Sequence, residues 1–373
     1  MSDSSNHLRI LTAVPICDGH DSAINTINLE LVRAGVEVIY LGYHRPARDI
    51  VRAAIQEGVA AVGLSSYNGG HVEFFATIKR QLVEQGAGHI GVFGGGGGTI
   101  TQADADEMTK AGVDRIFFAG TPLEEMMDWT RQTYSSVTVP GDATKNADLE
   151  LAAKLLDGTD SPGGDTPVIG INGPGGAGKT TLIDELILRF VKQRDGRIAI
   201  LSHDPSILGN GALLGDRATM IHAQHDRVFM HSLATRGQAG GLGPQTIAAI
   251  KNLQAADFEL ILVETVGTGQ EAMPFADNVD ASVFVMSPEY GSRLQLQKIA
   301  MLDLADVVVV NKNDRAGAAT ARNEVEQRVG MNRRVSTGEK QIVLATCAKR
   351  HRDEGVDRLF ETLMQRVGAV ATT

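Results

Sequence analysis

Over roughly the first 130 residues, short apolar runs alternate with amphipathic stretches. LRILTAVPI, VEVIYLG, VAAVGLSS, HIGVFGG and VDRIFFAG each predict a β-strand, and each is followed by a helical pattern. Such a βα alternation needs crossover connections, so it predicts a mostly parallel sheet whose ligand crevice lies at the carboxyl ends of the strands. From residue 134 to 166 the apolar pattern fades, and only ADLELAAKLL keeps helical spacing, which predicts a linker carrying one short helix. At Pro167 a second series opens, with strands expected at VIGING, RIAILSHD, ELILVE, ASVFVMS, VVVVNK and QIVLAT. The expected organisation is therefore one α/β domain over 1–133, a linker over 134–166 and a second α/β domain over 167–373.

Composition narrows the function. A chain of 373 residues suits two cores. Its 42 glycines follow no Gly-X-Y period and aromatic content is 5%, so the glycines belong to turns and phosphate loops. A net charge of -10 argues against a nucleic-acid partner, which calls for a basic face. Cys17 and Cys347 lie far apart, and no leader or long apolar run stands out. The expectation is a reduced, cytoplasmic protein with no membrane partner.

Two regions carry candidate chemistry. In the first, the opening strand ends in Cys17-Asp18-Gly19-His20, where an imidazole can meet a metal while the carboxylate orients its other nitrogen. A helix N-cap beside a surface histidine is the alternative. Ser65-Ser66-Tyr67 follows the third strand, and Gly94 to Gly98 follow the fourth. Five successive glycines are expected to let something large and flat approach the backbone, the alternative being a floppy loop.

In the second region, Gly173-Pro174-Gly175-Gly176-Ala177-Gly178-Lys179-Thr180 matches G-x-x-x-x-G-K-T between a strand and a helix. Gly173, Gly175, Gly176, Ala177, Gly178, Thr180 and Thr181 are expected around the phosphates, with Lys179 as their charge and Thr180 on Mg²⁺. Asn311-Lys312-Asn313-Asp314 matches N-K-x-D, in which Asn311, Lys312 and Asp314 read guanine. Glu264 closes an apolar strand where a nucleotide-sensing carboxylate is expected, and Lys179 and Glu264 are the catalytic candidates. Asp204 and Asp216 are Mg²⁺ candidates, with turn and N-cap carboxylates as the alternative. Arg217, Arg227 and Arg236 are candidates for a transition-state arginine. His222 and His225 form an H-x-x-H without a third ligand and read as polar-face histidines. Met126, Met127 and Trp129 read as packing.

The residues Asp18-x-His20-x-x-Ala23, Ser65-Ser66-Tyr67 and the run Gly94 to Gly98 resemble the signatures of base-off/His-on cobalamin-binding domains. Ala23 stands where Gly is usual, and Tyr67 where Leu is usual. Both departures, with DGHD, SSYxGGH and VFGGGGG, resemble the fused isobutyryl-CoA mutase family. GPGGAGKTTL, DPS, LLGDR, ETVGTGQ, PEYG and NKND resemble its G-protein chaperone part, from about residue 167 to 359. The segment from Asp204 to Asp216 departs, being one residue shorter and lacking Ser-Ser after Pro.

The resemblance implies a flavodoxin-like (Rossmann-like) parallel-sheet domain binding adenosylcobalamin, followed by a P-loop GTPase α/β domain using GTP/GDP and Mg²⁺. It implies His20 as cobalt ligand, Asp18 as its orienter, and Ser65, Tyr67, Gly94, Gly95, Gly96 and Gly97 around the nucleotide tail. Cys347 and Ala348 would contact the guanine carbonyl, and Lys298 would sit in a nucleotide-responsive switch, an exposed helix lysine being the alternative. The implied partners are a large acyl-CoA-binding mutase subunit or excised barrel domain and an adenosyltransferase, within a homodimer or larger assembly. A (β/α)₈ barrel takes about 250 residues, and no segment here is expected to form one. GTP hydrolysis is thus the expected reaction of this chain, in aid of an isobutyryl-CoA or 2-hydroxyisobutyryl-CoA mutase. A sensor domain controlling a GTPase, and a methyl-transfer corrinoid carrier, are the alternatives.

Overall fold

The computed structural model describes residues 7–15, 22–66, 70–96, 98–137, 145–205, 211–237, 241–266, 278–290, 301–331 and 341–370. They form two compact units, the first made of Met1–Thr159, Asp204–Thr219 and Met230–Arg236, the second of the rest. The chain begins with β1 (Arg9–Ala13), α1 (Ser22–Arg33), β2 (Glu37–Tyr40), α2 (Ala47–Glu57), β3 (Ala61–Ser65) and α3 (His71–Glu84). It continues through β4 (Gly91–Gly95), α4 (Gln102–Lys110), β5 (Arg115–Phe117), α5 (Leu123–Tyr134) and α6 (Ala147–Asp157). Then come β6 (Val168–Asn172), α7 (Lys179–Gln193), β7 (Ile198–Asp204), β8 (Ala212–Leu214), α8 (Asp216–Thr219), β9 (Val228–Ala234) and α9 (Thr246–Gln254). The last elements are β10 (Leu260–Glu264), β11 (Ala281–Met286), α10 (Met301–Leu304), β12 (Val307–Val310), α11 (Ala318–Met331), β13 (Ile342–Ala345) and α12 (Glu354–Val370).

The first sheet is ordered β5-β4-β3-β1-β2-β8 with parallel pairs throughout. Its strands read as apolar runs because helices cover both faces, and all five residues of β1 are buried. Local chemistry sets the helix ends. Gly58, in the left-handed region at φ 60°, closes α2, and Thr101 with Asp104 forms a capping box on α4. Asn146 caps α6, the helix expected within the linker, and α6 packs on α2. Met126, Met127 and Trp129 pack against a buried cluster that includes Phe93, Phe117 and Tyr134, as expected of packing residues.

Two strands differ from the sequence expectation. β8, three residues from the stretch read as a magnesium loop, pairs with β2 as the sixth strand of the first sheet. β9 was not expected because His231 and Ser232 interrupt its apolar run. Both are buried, and their polar groups are answered inside the first unit: His231 Nδ1 meets the Gln56 carbonyl at 2.7 Å and Ser232 N donates to Glu57 at 2.9 Å.

A buried charge network holds these segments. Arg217, wholly buried, donates to Glu57 at 3.1 Å and to Gln56 at 3.0 Å. Arg9 bridges Glu57 at 3.0 Å and Glu37 at 2.7 Å, and Arg236 reaches Glu37 at 2.9 Å. Buried charges persist only when paired in this way.

The second sheet is ordered β13-β12-β11-β6-β10-β7-β9, with parallel pairs from β13 to β7. β6 lies between β10 and β11, so the loop leaving its carboxyl end opens at the sheet's centre, where an open α/β sheet places its ligand. Among the described residues, no helix is long and apolar enough to cross a membrane.

Candidate cofactor and nucleotide sites

In the first unit, the carboxyl ends of β1, β3, β4 and β5, with α1, enclose a cavity of about 400 Å³. Its lining is largely apolar, with Ile24, Ile27, Leu64, Phe93 and Met126 among the walls and Ser65 and Gly94 to Gly96 at the strand ends. Thr12 also lines it, and the buried Thr12 hydroxyl has no hydrogen-bond partner among the described residues. A cavity of this size and character takes an apolar ring carrying one polar edge. The space and the donor set therefore fit the tail of a corrinoid.

Three glycines of the run are also demanded by the fold itself. A Cβ at Gly94 would fall 2.2 Å from the Leu64 carbonyl oxygen, at Gly95 2.4 Å from that of Phe117, and at Gly96 1.8 Å from that of Ser66. Close approach of the chain's own backbone therefore requires these three, which then leave the cavity wall without side chains. Gly98, at φ 78°, has open space around it. Asp18, His20, Tyr67 and Gly97 lie outside the described residues, as do Cys17 and Lys298.

In the second unit, Gly173 to Thr180 run from β6 into α7. A Cβ at Gly173 would fall 1.9 Å from the Val285 carbonyl oxygen, and one at Gly178 2.5 Å from Asn311 Nδ2. Gly173 thus lets backbone approach backbone, and Gly178 makes room for the Asn311 side chain. Gly175 and Gly176 instead face open space. Lys179 opens α7, and its Nζ donates to the Gly173 carbonyl at 3.1 Å, closing the loop on itself. The N–H groups of the first turn, with the helix dipole behind them, form an anion cradle.

Register carries the acid to this loop. Glu264, the last residue of β10, pairs with Ile171 of β6, and Thr180 Oγ1 donates to its carboxylate at 3.1 Å. A hydroxyl and a carboxylate are the hard oxygen donors that Mg²⁺ takes, the remainder coming from phosphate and water. The other two expected magnesium residues are not part of this unit. Asp204 and Asp216 belong to the first unit, where Asp204 accepts from Gly215 N at 3.1 Å. Burial, and then the nearby Asp216 charge, push the Asp204 carboxyl up to about 8. Among the described residues, no three His, Cys, Asp or Glu side chains converge on a metal position.

The base pocket draws together three stretches of sequence. Asn311 Nδ2 donates to the Ala177 carbonyl at 3.0 Å, while its Oδ1 accepts from Thr346 Oγ1 at 3.0 Å and Ala348 N at 3.1 Å. Asn311 thus ties the phosphate loop to the base loop. Lys312, in the left-handed region at φ 58°, extends to the Gly176 carbonyl. Asp314 accepts from Cys347 Sγ at 3.1 Å and from Lys349 Nζ. Those two donors, Lys349 first, hold its carboxyl down to about 2. The slot, of about 110 Å³, is lined by Gly178, Thr181, Lys312, Asp314, Cys347 and Ala348, and also by Arg315 and Lys349. Lys349 was not among the expected residues, although it directly follows Cys347-Ala348. Burial and Asp314 raise the Cys347 thiol, in keeping with a structural cysteine.

The three candidate arginines are otherwise engaged. Arg217 and Arg236 belong to the buried network of the first unit, and Arg227 donates to the carbonyls of Val191 and Arg194. Each is a structural arginine here. His222 pairs with Asp184 at 2.9 Å in a short 3-10 turn.

Comparison with known proteins places names beside these sites. The family profile described as methylmalonyl Co-A mutase-associated GTPase MeaB matches residues 137–373, and that of the B12 binding domain matches residues 8–126. The fused isobutyryl-CoA mutase of Cupriavidus metallidurans is 41% identical over 98% of this chain and 36% of its own length. That of Geobacillus kaustophilus is 36% identical over 99% of this chain and 37% of its own length. The chain thus spans little more than a third of these relatives. A solved LAO/AO transport system kinase aligns with a TM-score of 0.44 at 20% identity, covering 61% of this chain and 68% of that one.

Proposed function

Since the chain belongs to the methylmalonyl-CoA mutase-associated GTPase family and carries a B12-binding domain ahead of the GTPase domain, we propose that it binds adenosylcobalamin and hydrolyses GTP to GDP and phosphate, using the nucleotide to control cofactor loading and release. The cofactor serves a carbon-skeleton mutase acting on isobutyryl-CoA or 2-hydroxyisobutyryl-CoA, whose acyl-CoA-binding part is the partner.

The observation that carries the nucleotide half is the Asn311 junction, which joins the phosphate loop to the pocket of Asp314. In that arrangement the Asp314 carboxylate accepts from the guanine ring N–H and amine in place of Cys347 and Lys349. Lys179 and the α7 amino terminus hold the phosphates, and Thr180 and Glu264 hold Mg²⁺ and so set its charge against the bond being broken.

In the first unit, bound adenosylcobalamin supplies a homolysable carbon–cobalt bond. The chain's own part is to hold it, with His20 on cobalt, Asp18 orienting that imidazole, and the Thr12–Gly96 cavity enclosing the tail. Control by nucleotide is supported by the make-up of that unit. Residues 204–219 and 230–236 lie within the GTPase stretch of the sequence, yet they belong to the first unit, where β8 pairs with β2 and Arg217 with Glu57.

Titration of the intact chain tests this reading. GTP is expected to bind in strong preference to ATP, and adenosylcobalamin to give a His-ligated spectrum that His20→Ala alters. Equal competition by ATP would defeat the guanine reading, and an unaltered His20→Ala spectrum the cobalt-ligand reading.

A further inference from the structure

We infer that His203 is a positioning residue for GTP hydrolysis, fixing the end of β10 so that the Glu264 carboxylate stays in register with the Thr180 hydroxyl. His203 is 2% exposed and is the penultimate residue of β7. Its Nδ1 meets the Glu264 carbonyl oxygen at 2.7 Å, and its Nε2 meets Thr246 Oγ1 at 2.8 Å. A carbonyl oxygen only accepts, so Nδ1 carries the proton and donates.

The remaining contacts show what this bond does. On the phosphate-loop side, Glu264 Oε1 accepts from Thr180 at 3.1 Å, and Thr265 Oγ1 donates to Asn172 Oδ1 at 2.9 Å, one residue before Gly173. On the far side, Thr246 opens α9, and its hydroxyl, the donor to His203 Nε2, lies 2.8 Å from the Gly243 carbonyl oxygen as well. His203 is therefore the strut that joins the end of β7 and the start of α9 to the back of Glu264. The phosphate loop braces its front. A buried carbonyl left without its donor shifts or takes in water, and a displacement of well under an ångström at a metal-holding carboxylate is felt in the rate. An apolar side chain would fill the same space in a β-strand, so packing alone does not call for histidine.

The inference rests on the GTPase reading above, and the test separates the two. Steady-state GTP hydrolysis is measured on the full chain for wild type, His203→Val, His203→Asn and His203→Gln, with folding followed by circular dichroism. The Asn amide nitrogen can occupy the place of Nδ1 and keep the bond to Glu264, whereas the Gln amide mimics Nε2 and loses it. His203→Val is expected to lower kcat about ten-fold, the scale of one buried hydrogen bond, with the KM for GTP within about two-fold of wild type. His203→Asn is expected to recover most of that loss, and His203→Gln little.

An unchanged kcat in the Val variant would overturn the inference, as would kcat and KM worsening together in all three variants. If the Val variant does not fold, the order of Asn and Gln decides, and Gln equal to or better than Asn overturns it. A wild-type chain that turns over no GTP would defeat the GTPase reading itself, and this inference with it.

Discussion

The polar slot around Asp314 and the apolar cavity of the first unit suit binding in opposite ways. In the pocket, Asn311, Asp314, Thr346 and Cys347 already satisfy one another, so the site is stiff and polar and its ligand replaces existing bonds. In the cavity, the walls are largely apolar, the end of β4 carries no side chains, and the Thr12 hydroxyl has no hydrogen-bond partner among the described residues. A charged nucleotide is recognised by placed donors and acceptors, whereas a bulky cofactor tail is recognised by space. The contrast teaches that glycine answers crowding in both places, by neighbouring carbonyls in the cavity and by the Asn311 side chain at Gly178 in the pocket, and that among the described residues the placed polar side chains are concentrated in the pocket.

The largest expected effect tests whether the first unit depends on its buried charges. Arg217→Ala leaves Glu57 and Gln56 without their shared donor and should cost about 3 kcal/mol in denaturant unfolding, while a loss under about 0.5 kcal/mol would show the network to be dispensable. Next, Lys179→Ala should weaken GTP binding about 100-fold by calorimetry and leave cobalamin binding as in wild type. Loss of both together would erase the distinction between the sites. Asp314→Asn should cut the preference for GTP over ATP about ten-fold or more in competition assays.

A pH effect should also separate the two regions. Burial holds the His231 imidazole at about 4, below its unfolded value of about 6.5. The unfolded chain therefore binds a proton between those values that the folded chain does not. That contribution is fully present above about 6.5 and is lost as pH falls toward 4, while the Asp204 carboxyl, raised to about 8, acts in the opposite sense. The His231 part is therefore read from the melting-temperature difference between wild type and His231→Asn, which should fall between pH 7 and 5. The base selector behaves otherwise. Asp314 stays ionised down to about 2, and guanine preference should be flat over the same range. The smallest effect is expected of Thr12→Val, which removes a buried hydroxyl without a partner and should leave the ligand-free protein as stable or more so by about 1 kcal/mol, while weakening cobalamin in a spectral titration.

Much of this was legible before the fold was known. Parallel strands covered on both faces announce themselves as apolar runs, as Val307–Val310 does, and the phosphate loop and base selector are contiguous words. What stayed hidden depends on residues far apart in sequence. β8 is three residues long and exists because β2 pairs with it. β9 carries polar residues whose partners, Gln56 and Glu57, lie about 175 positions away. The roles of Arg217 and His203 follow from the same kind of distant pairing. The glycine run was visible, but its physical cause was the neighbouring strands' carbonyls.

The most direct test of the central claim is the affinity of the intact chain for adenosylcobalamin, measured by absorbance titration, with GDP and then with a non-hydrolysable GTP analogue bound. The account predicts that the two nucleotides shift that affinity by about five-fold or more, within the usual range of coupling between sites. Identical affinities with both nucleotides saturating would contradict it.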